Sequence, residues 1–148
     1  MDTQSREEQR GPVEMQAPYP LAMVVCDAIW RDPSTGKRFL LGAFSAIGAK
    51  SFPAVHPLMA LYVVVTDGHG KIPLRIRLVD AEEQLDPLAQ SEAEVTFEDP
   101  RVVLEIDFHM QNITFPKAGE YRFQLYAGDE LMMERRIVLA EMKGKANE

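Results

Sequence analysis

The stretch Phe115-Pro-Lys-Ala-Gly-Glu-Tyr-Arg-Phe-Gln-Leu125 contains the most specific fold signal in the chain. A turn with proline and glycine leads directly into Tyr121, which opens a segment of alternating apolar and polar residues. This order indicates a tyrosine corner, in which the tyrosine hydroxyl bonds to backbone a few residues upstream. Tyrosine corners are typical of Greek-key, immunoglobulin-like β-sandwiches. The alternative is that Tyr121 is an ordinary aromatic residue of its strand.

On both sides of this corner the chain alternates β-like segments with turn signals. Leu74–Asp80 is the clearest segment, because apolar and basic residues alternate along it with the period of a half-buried strand. The spacing of the segments is typical of an all-β sandwich, whereas nucleotide-binding parallel sheets alternate strands with helices. We therefore predict an all-β, immunoglobulin-like Greek-key β-sandwich of about eight strands. The predicted strands are Leu21–Trp30, Arg38–Ile47, Leu58–Thr66, Leu74–Asp80, Glu92–Glu98, Arg101–Met110, Tyr121–Ala127 and Leu131–Ala140.

Three glycine-containing turns predict hairpins, and one of them, Gly128-Asp-Glu130, precedes the last predicted strand. Asp32-Pro-Ser-Thr-Gly-Lys37 separates the first two predicted strands. Asp67-Gly-His-Gly70 separates the third and fourth strands and is the strongest short hairpin signal in the chain. We therefore expect the two strands of each pair to lie side by side in one sheet.

The phase of each strand also predicts which side chains face the core. Burial of one large apolar side chain contributes about 1.5–3 kcal/mol, so stability should depend on the aromatic residues of this set. The predicted inner-face residues are Met23, Val25, Phe39, Leu41, Leu61, Val63, Leu74, Ile76, Leu78, Val95, Phe97, Leu104, Ile106, Phe108, Phe123 and Leu125.

The chain has 148 residues, the size of one domain. Hydrophobic periodicity is absent near both ends, so we predict disordered tails at 1–19 and 141–148 around a β-sandwich domain at 20–140. The polar N-terminus lacks a secretory signal, and the longest apolar run, Leu58–Val65, is far shorter than the roughly 20 residues of a spanning helix. The single Cys26 excludes an intrachain disulfide, and we expect a cytoplasmic protein without a membrane partner.

The charge of the chain disfavours nucleic-acid binding. Its net charge is −7, with 23 acidic and 16 basic residues. Affinity for nucleic acids comes mainly from lysine and arginine side chains that neutralise phosphates. We therefore predict that nucleic acid is not a partner.

The sequence does not contain a recognisable catalytic constellation. Cys26 lies within a predicted strand next to Asp27, without an adjacent basic residue or helix N-terminus to lower the pKa of its thiol. A Gly-x-Ser-x-Gly motif, typical of serine hydrolases, is missing. We predict no catalytic residue and no cofactor, and a non-enzymatic protein is favoured.

One strand presents a stripe of potential metal ligands. Glu105, Asp107 and His109 occupy every second position and therefore share a face. Carboxylate and imidazole groups on one face can ligate a divalent ion, but such a stripe is also the ordinary solvated face of a strand. Zinc would require further ligands from elsewhere. We therefore predict no metal site and keep Asp107 and His109 as the nearest candidates.

Arginine and tyrosine side chains form the best candidate binding surface, because both are enriched in protein interfaces. Their strand phases predict that several share one outer sheet face. Leu58–Val65 is apolar at both phases, which points Tyr62 away from the core. Either arginine stems cover that outer phase, or it forms a partner or homodimer surface. The interface candidates are Tyr62, Tyr126, Arg122, Arg75 and Arg77.

These observations favour a non-enzymatic protein-interaction or scaffold module with a protein partner, and a homodimer stays open. The alternative is a small-ligand-binding or enzymatic domain that uses loops at one end of the sandwich, around Cys26, His56, His69 and Asp80. A deep polar pocket would favour this alternative, whereas a flat sandwich with solid ends would favour the interaction module.

Several short motifs resemble a small bacterial family of unknown function whose members share the eight-strand pattern. The resemblance covers about residues 20–140. It implies the β-sandwich fold and brings no catalytic residue with it. The motifs are Cys26-Asp27, Thr35-Gly-Lys37, Leu41-Gly-Ala-Phe44, Phe52-Pro, Thr66-Asp-Gly68, Pro73-Leu-Arg-Ile-Arg-Leu-Val-Asp80 and the stretch from Phe115 to Leu125.

Overall fold

The computed structural model describes residues 17–143, which fold into nine β-strands arranged in two sheets. The four-stranded sheet has the order β2-β1-β4-β7, and the five-stranded sheet has the order β3-β9-β8-β5-β6. The inner faces of the two sheets enclose one hydrophobic core. The strands are β1 (Tyr19–Arg31), β2 (Arg38–Ala43), β3 (Ala46–Ala49), β4 (Ala54–Thr66), β5 (Gly70–Asp80), β6 (Ala89–Phe97), β7 (Leu104–Phe115), β8 (Gly119–Ala127) and β9 (Glu130–Glu141).

The strand order is that of an immunoglobulin-like sandwich. In the five-stranded sheet β8 lies between β5 and β9, and β6 extends the sheet beyond β5. The short β3 pairs in parallel with β9 at the opposite edge. In the four-stranded sheet β4 lies between β1 and β7. This topology confirms the predicted all-β, immunoglobulin-like fold.

The predicted second strand, Arg38–Ile47, is in fact two strands, which raises the number from about eight to nine. β2 pairs with β1 in the four-stranded sheet, whereas β3 pairs with β9 in the other sheet. Backbone hydrogen bonds on each side of the junction mark the transfer, because the Phe44 N–H donates to Val25 and the Val138 N–H donates to Ser45. The chain therefore passes from one sheet to the other between Phe44 and Ser45.

The predicted hairpin at residues 67–70 is also wrong, because β4 and β5 lie in different sheets. Both edges of β4 are already occupied by β1 and β7, so β5 cannot pair with it. Two residues of the turn have the positive φ angles that are common in tight turns, 62° for Asp67 and 68° for Gly70. This tight turn carries the chain across the sandwich instead of closing a hairpin.

The core contains most of the predicted inner-face residues, but not Phe39 and Leu41, which are 47% and 51% exposed. Phe39 lies opposite Trp30 in the ladder between β1 and β2, and Leu41 lies opposite Ala28. Three consecutive apolar residues, Phe39 to Leu41, make both strand phases equally apolar. Periodicity therefore could not determine which phase of β2 faces solvent.

The tyrosine corner is present as predicted. Tyr121 is the third residue of β8 and only 1% of its surface is exposed. Its hydroxyl donates a hydrogen bond of 2.6 Å to the Lys117 carbonyl. Its ring meets the ring of Phe115 edge-on, with 5.0 Å between centroids. The hydroxyl thus joins the turn before β8 to the core.

Replacing Tyr121 with phenylalanine should lower the free energy of unfolding by about 1–2 kcal/mol, because the Lys117 carbonyl loses its buried donor. The matched control is Tyr126→Phe, since that hydroxyl makes only a long contact of 3.5 Å to Gln124. Urea denaturation of both variants measures the difference. Equal midpoints for Tyr121→Phe and the wild type would contradict a stabilising role for the corner.

The described residues reach slightly beyond the predicted domain limits on both sides. Ala17 packs against the core, and Pro18 is buried ahead of β1. At the other end, the Met142 N–H donates a hydrogen bond of 2.8 Å to the Ala49 carbonyl after β9 ends. The rest of the two predicted tails, residues 1–16 and 144–148, lies outside the described residues.

Candidate interaction surface

Four of the five predicted interface residues lie together on the outer face of the five-stranded sheet. Arg75 and Arg77 belong to β5, and Arg122 and Tyr126 belong to β8, which is its antiparallel neighbour. The register places Tyr126 opposite Arg75 and Arg122 opposite Val79. Side chains at alternate positions point to the same face, so all four project away from the core. We call this surface the arginine–tyrosine face.

At the centre of the arginine–tyrosine face, two guanidinium groups lie close to one tyrosine ring. The Cζ atoms of Arg75 and Arg77 lie 5.0 Å and 5.8 Å from the centroid of the Tyr126 ring. Both distances are within the range of cation–π attraction. Neither arginine forms an ion pair with any residue in 17–143, and the Arg75 Nε is buried without a hydrogen-bond acceptor. The ring positions these two cations, but no carboxylate neutralises them.

Arg122 has a different environment, because carboxylates surround it. Its Nε lies 3.1 Å from the Glu120 carboxylate, and its Nη1 lies 3.7 Å from that of Glu134. Arg136 also approaches Glu120, at 3.8 Å. Two acidic and two basic residues thus balance one another on this part of the face.

Gln124 is a residue of this face that the sequence reasoning missed. It lies between Arg122 and Tyr126 at the same strand phase and is only 2% exposed. Its Nε2 donates hydrogen bonds to the carboxylates of Glu134, at 2.8 Å, and Glu83, at 3.3 Å. The second bond attaches the loop after β5 to the sheet. The same period of two that predicts Arg122 and Tyr126 could have identified Gln124.

Tyr62 does not belong to the arginine–tyrosine face, because it lies in β4 of the other sheet. Its hydroxyl donates a hydrogen bond to the Glu105 carboxylate on β7. Burial and this hydrogen bond raise the pKa of Tyr62 to about 12. The phenol therefore stays protonated at neutral pH and acts as a donor within the domain. The prediction that it shares a surface with Tyr126 is wrong, since strand phase does not specify the sheet.

An arginine network ties the β1–β2 hairpin to the outer face of the four-stranded sheet. Arg38, next to the hairpin turn, is 2.7 Å from Glu105 through Nη1 and 2.7 Å from Asp107 through Nε. These carboxylates belong to β7, which is separated from β2 by β1 and β4 in the sheet order. The hairpin must therefore curl over the outer face. Gly42 permits a close approach to Asp27 in this hairpin, because a Cβ there would lie 2.5 Å from the Asp27 carboxylate.

The apolar outer phase of β4 is largely buried within the domain. Ala60 and Val64 are buried, although they point away from the core, and Leu58 is exposed. Most of the outer phase is thus covered by other parts of the same chain. Of the two alternatives for this strand, this burial favours coverage from within the domain.

The potential metal ligands are engaged in the same network. Asp107 and Glu105 both bind Arg38, and His109 is exposed further along β7. Within residues 17–143, three or more histidine, cysteine or acidic side chains are nowhere close enough together to hold a metal ion. The cationic partner already occupies the carboxylates that a metal would need.

The residues of the alternative ligand site are dispersed. His69 lies in the turn between β4 and β5, whereas Asp80 lies at the opposite end of β5. A polar depression of about 310 Å³ is lined by Asp80, Lys117 and Glu120, without Cys26, His56 or His69. The Asp80 carboxylate accepts backbone hydrogen bonds from Leu85 and Gln84, at 3.1 Å and 3.2 Å. Asp80 therefore has a structural role in holding the loop after β5.

Cys26 is buried on the outer side of the four-stranded sheet, where its Sγ lies 3.4 Å from the Ala28 carbonyl and 3.7 Å from that of Ala60. Burial raises the pKa of the Cys26 thiol above its ordinary value, and the carboxylates of Asp27 and Asp107 raise it further. The thiolate needed for nucleophilic chemistry is therefore disfavoured.

We expect the Cys26 thiol of the native protein to be almost unreactive towards Ellman's reagent at pH 8, and to react fully in urea. The control is Ser34→Cys, which adds a thiol in the exposed turn of the β1–β2 hairpin. That second thiol should react immediately without denaturant. Rapid reaction of the wild-type protein would show that Cys26 is accessible and activated.

Comparisons with known proteins support a family assignment. The model of a family described as "Family of unknown function (DUF6941)" matches residues 21–140. No curated protein matches the chain. In the part of the chain that the structure describes, no helix is long and apolar enough to cross a membrane.

Two solved structures are similar in outline. One is an immunoglobulin-like protein from Pseudomonas aeruginosa, with 11% identity, a TM-score of 0.37, and coverage of 84% of this chain and 97% of the other. The other is a β-glucosidase from Kluyveromyces marxianus, with 10% identity, a TM-score of 0.38, and coverage of 70% of this chain and 16% of the other. Similarity at this level says nothing about function.

Proposed function

The chain belongs to the DUF6941 family of unknown function, and we propose that it is a non-enzymatic protein-interaction module whose contact surface is the arginine–tyrosine face. One observation carries this proposal. Arg75, Arg77, Arg122 and Tyr126 come together on the outer side of two adjacent strands. Their backbone is held on both sides by ladder hydrogen bonds, since β5 and β8 are inner strands of the sheet.

The chemistry of this face suits a protein partner. Tyrosine and arginine contribute disproportionately to binding at protein interfaces, because they combine large apolar contact with directed hydrogen bonds. The stacking of Arg75 and Arg77 on Tyr126 restricts these side chains before binding. Less conformational entropy is then lost when a partner immobilises them.

The same face is poorly suited to nucleic acid. Four carboxylates, those of Glu92, Glu94, Glu120 and Glu134, share it with the arginines, and the whole chain carries a net charge of −7. A phosphate backbone presents many negative charges in succession and would meet these carboxylates. A protein surface can instead match the two signs of charge locally.

Photocrosslinking from two glutamines on opposite faces of the sandwich tests the proposal. Gln90 on β6 lies beside Arg77 on the arginine–tyrosine face, and Gln111 is exposed on β7 of the other sheet. Each is replaced in turn by p-benzoylphenylalanine, and the purified protein is irradiated in lysate of its source organism. We expect a discrete protein adduct from position 90 and none from position 111.

The pattern of adducts distinguishes the alternatives. An adduct from position 111 alone, or none from either position, would contradict the proposal. Irradiation of the purified protein by itself identifies self-association, because an adduct of twice the chain mass from position 90 would make a second copy the partner. Sedimentation of the wild type and of Tyr62→Glu tests separately whether the outer side of β4 supports a homodimer.

A further inference from the structure

We infer that the Arg75–Tyr126–Arg77 cluster binds an aspartate or glutamate side chain of the partner protein. This inference rests on the proposed function and specifies the chemistry of its contact. The cluster consists of two guanidinium groups close to one phenol ring, with their Cζ atoms 5.0 Å and 5.8 Å from its centroid. What it lacks is a negative group.

The other arginines of this face are paired with carboxylates, unlike the two of the cluster. Arg122 and Arg136 both have carboxylate neighbours within 4 Å, and so does Arg38 on the opposite sheet. Arg75 and Arg77 have none among the described residues, although acidic residues outnumber basic ones by 23 to 16. The two cations are alternate residues of one strand, so their backbone positions are roughly 7 Å apart. A carboxylate between them would relieve their mutual repulsion.

Hydrogen bonding leads to the same ligand. The Arg75 Nε–H is buried and has no acceptor, whereas most buried polar groups in native proteins are paired. A partner carboxylate cannot reach this buried atom, but it can accept from the two Nη groups of Arg75, which are not fully buried. Glu92 faces Arg75 across the ladder between β5 and β6, yet it makes no ion pair with it. A partner carboxylate would supply the acceptor that this chain does not.

The surrounding charge defines the partner further. Glu92 and Glu94 line the β6 side of the cluster, and Glu120 and Glu134 lie beyond it on β8 and β9. A single carboxylate flanked by basic residues complements this pattern, because its neighbours can pair with these glutamates. A run of acidic residues, or a polyanion, would be repelled. The expected partner segment therefore has an isolated acidic residue among lysines or arginines.

A zero-length coupling reaction tests the inference directly. In Arg77→Lys the cation is kept, and a water-soluble carbodiimide can join its amine to a carboxylate in contact with it. The carbodiimide activates the carboxylate and leaves as a urea when the amine attacks, so that an amide bond forms. In lysate of the source organism, we expect mass spectrometry to find position 77 joined to an aspartate or glutamate of a partner. Arg101→Lys, remote and exposed, is the control.

The photocrosslinking from position 90 supplies the second arm. The double variant Arg75→Gln/Arg77→Gln should reduce the yield of that adduct at least tenfold, whereas Arg101→Gln, which lies away from this face, should leave it nearly unchanged. The adduct should also weaken between 50 and 300 mM salt, because the contact is electrostatic. Thermal melts show whether each variant is folded. If the double variant does not fold, the coupling reaction of Arg77→Lys still tests the inference, because that variant keeps the positive charge.

The outcomes separate this inference from the proposed function. If position 90 forms an adduct that neither the double variant nor salt changes, and position 77 couples to no carboxylate, the inference is overturned and the interaction module remains. If nuclease removes the adduct, nucleic acid is the ligand and the inference is overturned. If position 90 forms no adduct, the proposed function fails and this inference fails with it.

Discussion

The variant Phe123→Ala should lose about 3–5 kcal/mol of unfolding free energy, the largest effect that we expect of a single substitution. Phe123 lies in β8 with none of its surface exposed. It is paired on one side with Leu78 of β5 and on the other with Arg135 of β9, so its ring fills the centre of the five-stranded sheet's inner face. Removal of the ring leaves a cavity that the neighbouring strands cannot close.

Phe39→Ala is the matched control for this prediction. The alternation in the sequence predicts that both phenylalanines face the core. In the structure, however, Phe39 is 47% exposed and its ring contacts that of Trp30 at a centroid distance of 5.3 Å. Loss of one aromatic pair costs about 0.5–1.5 kcal/mol. Because native domains have only about 5–15 kcal/mol of total stability, Phe123→Ala should lose a large share of it, whereas Phe39→Ala should lose a small one. If urea titrations gave equal losses of unfolding free energy for Phe123→Ala and Phe39→Ala, the exposed position of Phe39 would be contradicted.

The variant Arg38→Gln should lose about 2–3 kcal/mol, the second largest effect. Its guanidinium makes two ion-pair contacts of 2.7 Å, to Glu105 and Asp107, and its side chain is only 10% exposed. A hydrogen bond to a charged group contributes about 1.5–3 kcal/mol, and partial exposure of the carboxylates keeps the combined effect near the middle of that range. The variant also leaves two carboxylates two positions apart on β7 without their cation.

Arg101→Gln provides the comparison for an exposed ion pair. Arg101 approaches Asp99 at 2.9 Å, but its side chain is 88% exposed and the two residues are close in sequence. Such pairs contribute about 0–1 kcal/mol, so this variant should differ little from the wild type. Hydrogen exchange localises the difference, because Arg38→Gln should accelerate exchange in β1 and β2. Unchanged protection of the hairpin in Arg38→Gln would contradict the inferred curl over the sheet.

Local sequence determined the features that depend on neighbouring residues. The turn before Tyr121 and the alternation that follows it predicted the corner, because its hydrogen bond closes over only four residues. The alternation of Leu74 to Leu78 with Arg75 and Arg77 predicted the inner and outer sides of β5, since side chains in a strand alternate with a period of two. The same rule placed Arg122 and Tyr126 on the outer side of β8.

Strand phase could not predict which sheet a strand joins. Tyr62 and Tyr126 both point outwards, but they lie on opposite faces of the sandwich because β4 and β8 belong to different sheets. The hairpin predicted at residues 67–70 was wrong for the same reason. A tight turn has similar backbone geometry whether it closes a hairpin or crosses between sheets. Sheet membership depends on pairing partners that are distant in sequence.

The sequence by itself therefore determined that this chain is a β-sandwich, where most of its strands lie, and which side chains of a strand turn inwards. Only the tertiary structure decided that β2 and β3 separate, that Arg38 reaches carboxylates 67 and 69 residues further along the chain, and that Arg75 and Arg77 stack on one ring without an anion. The physical reason is range: turns and alternation act between neighbouring residues, whereas ion pairs, stacking and sheet order are set by which strands meet in space.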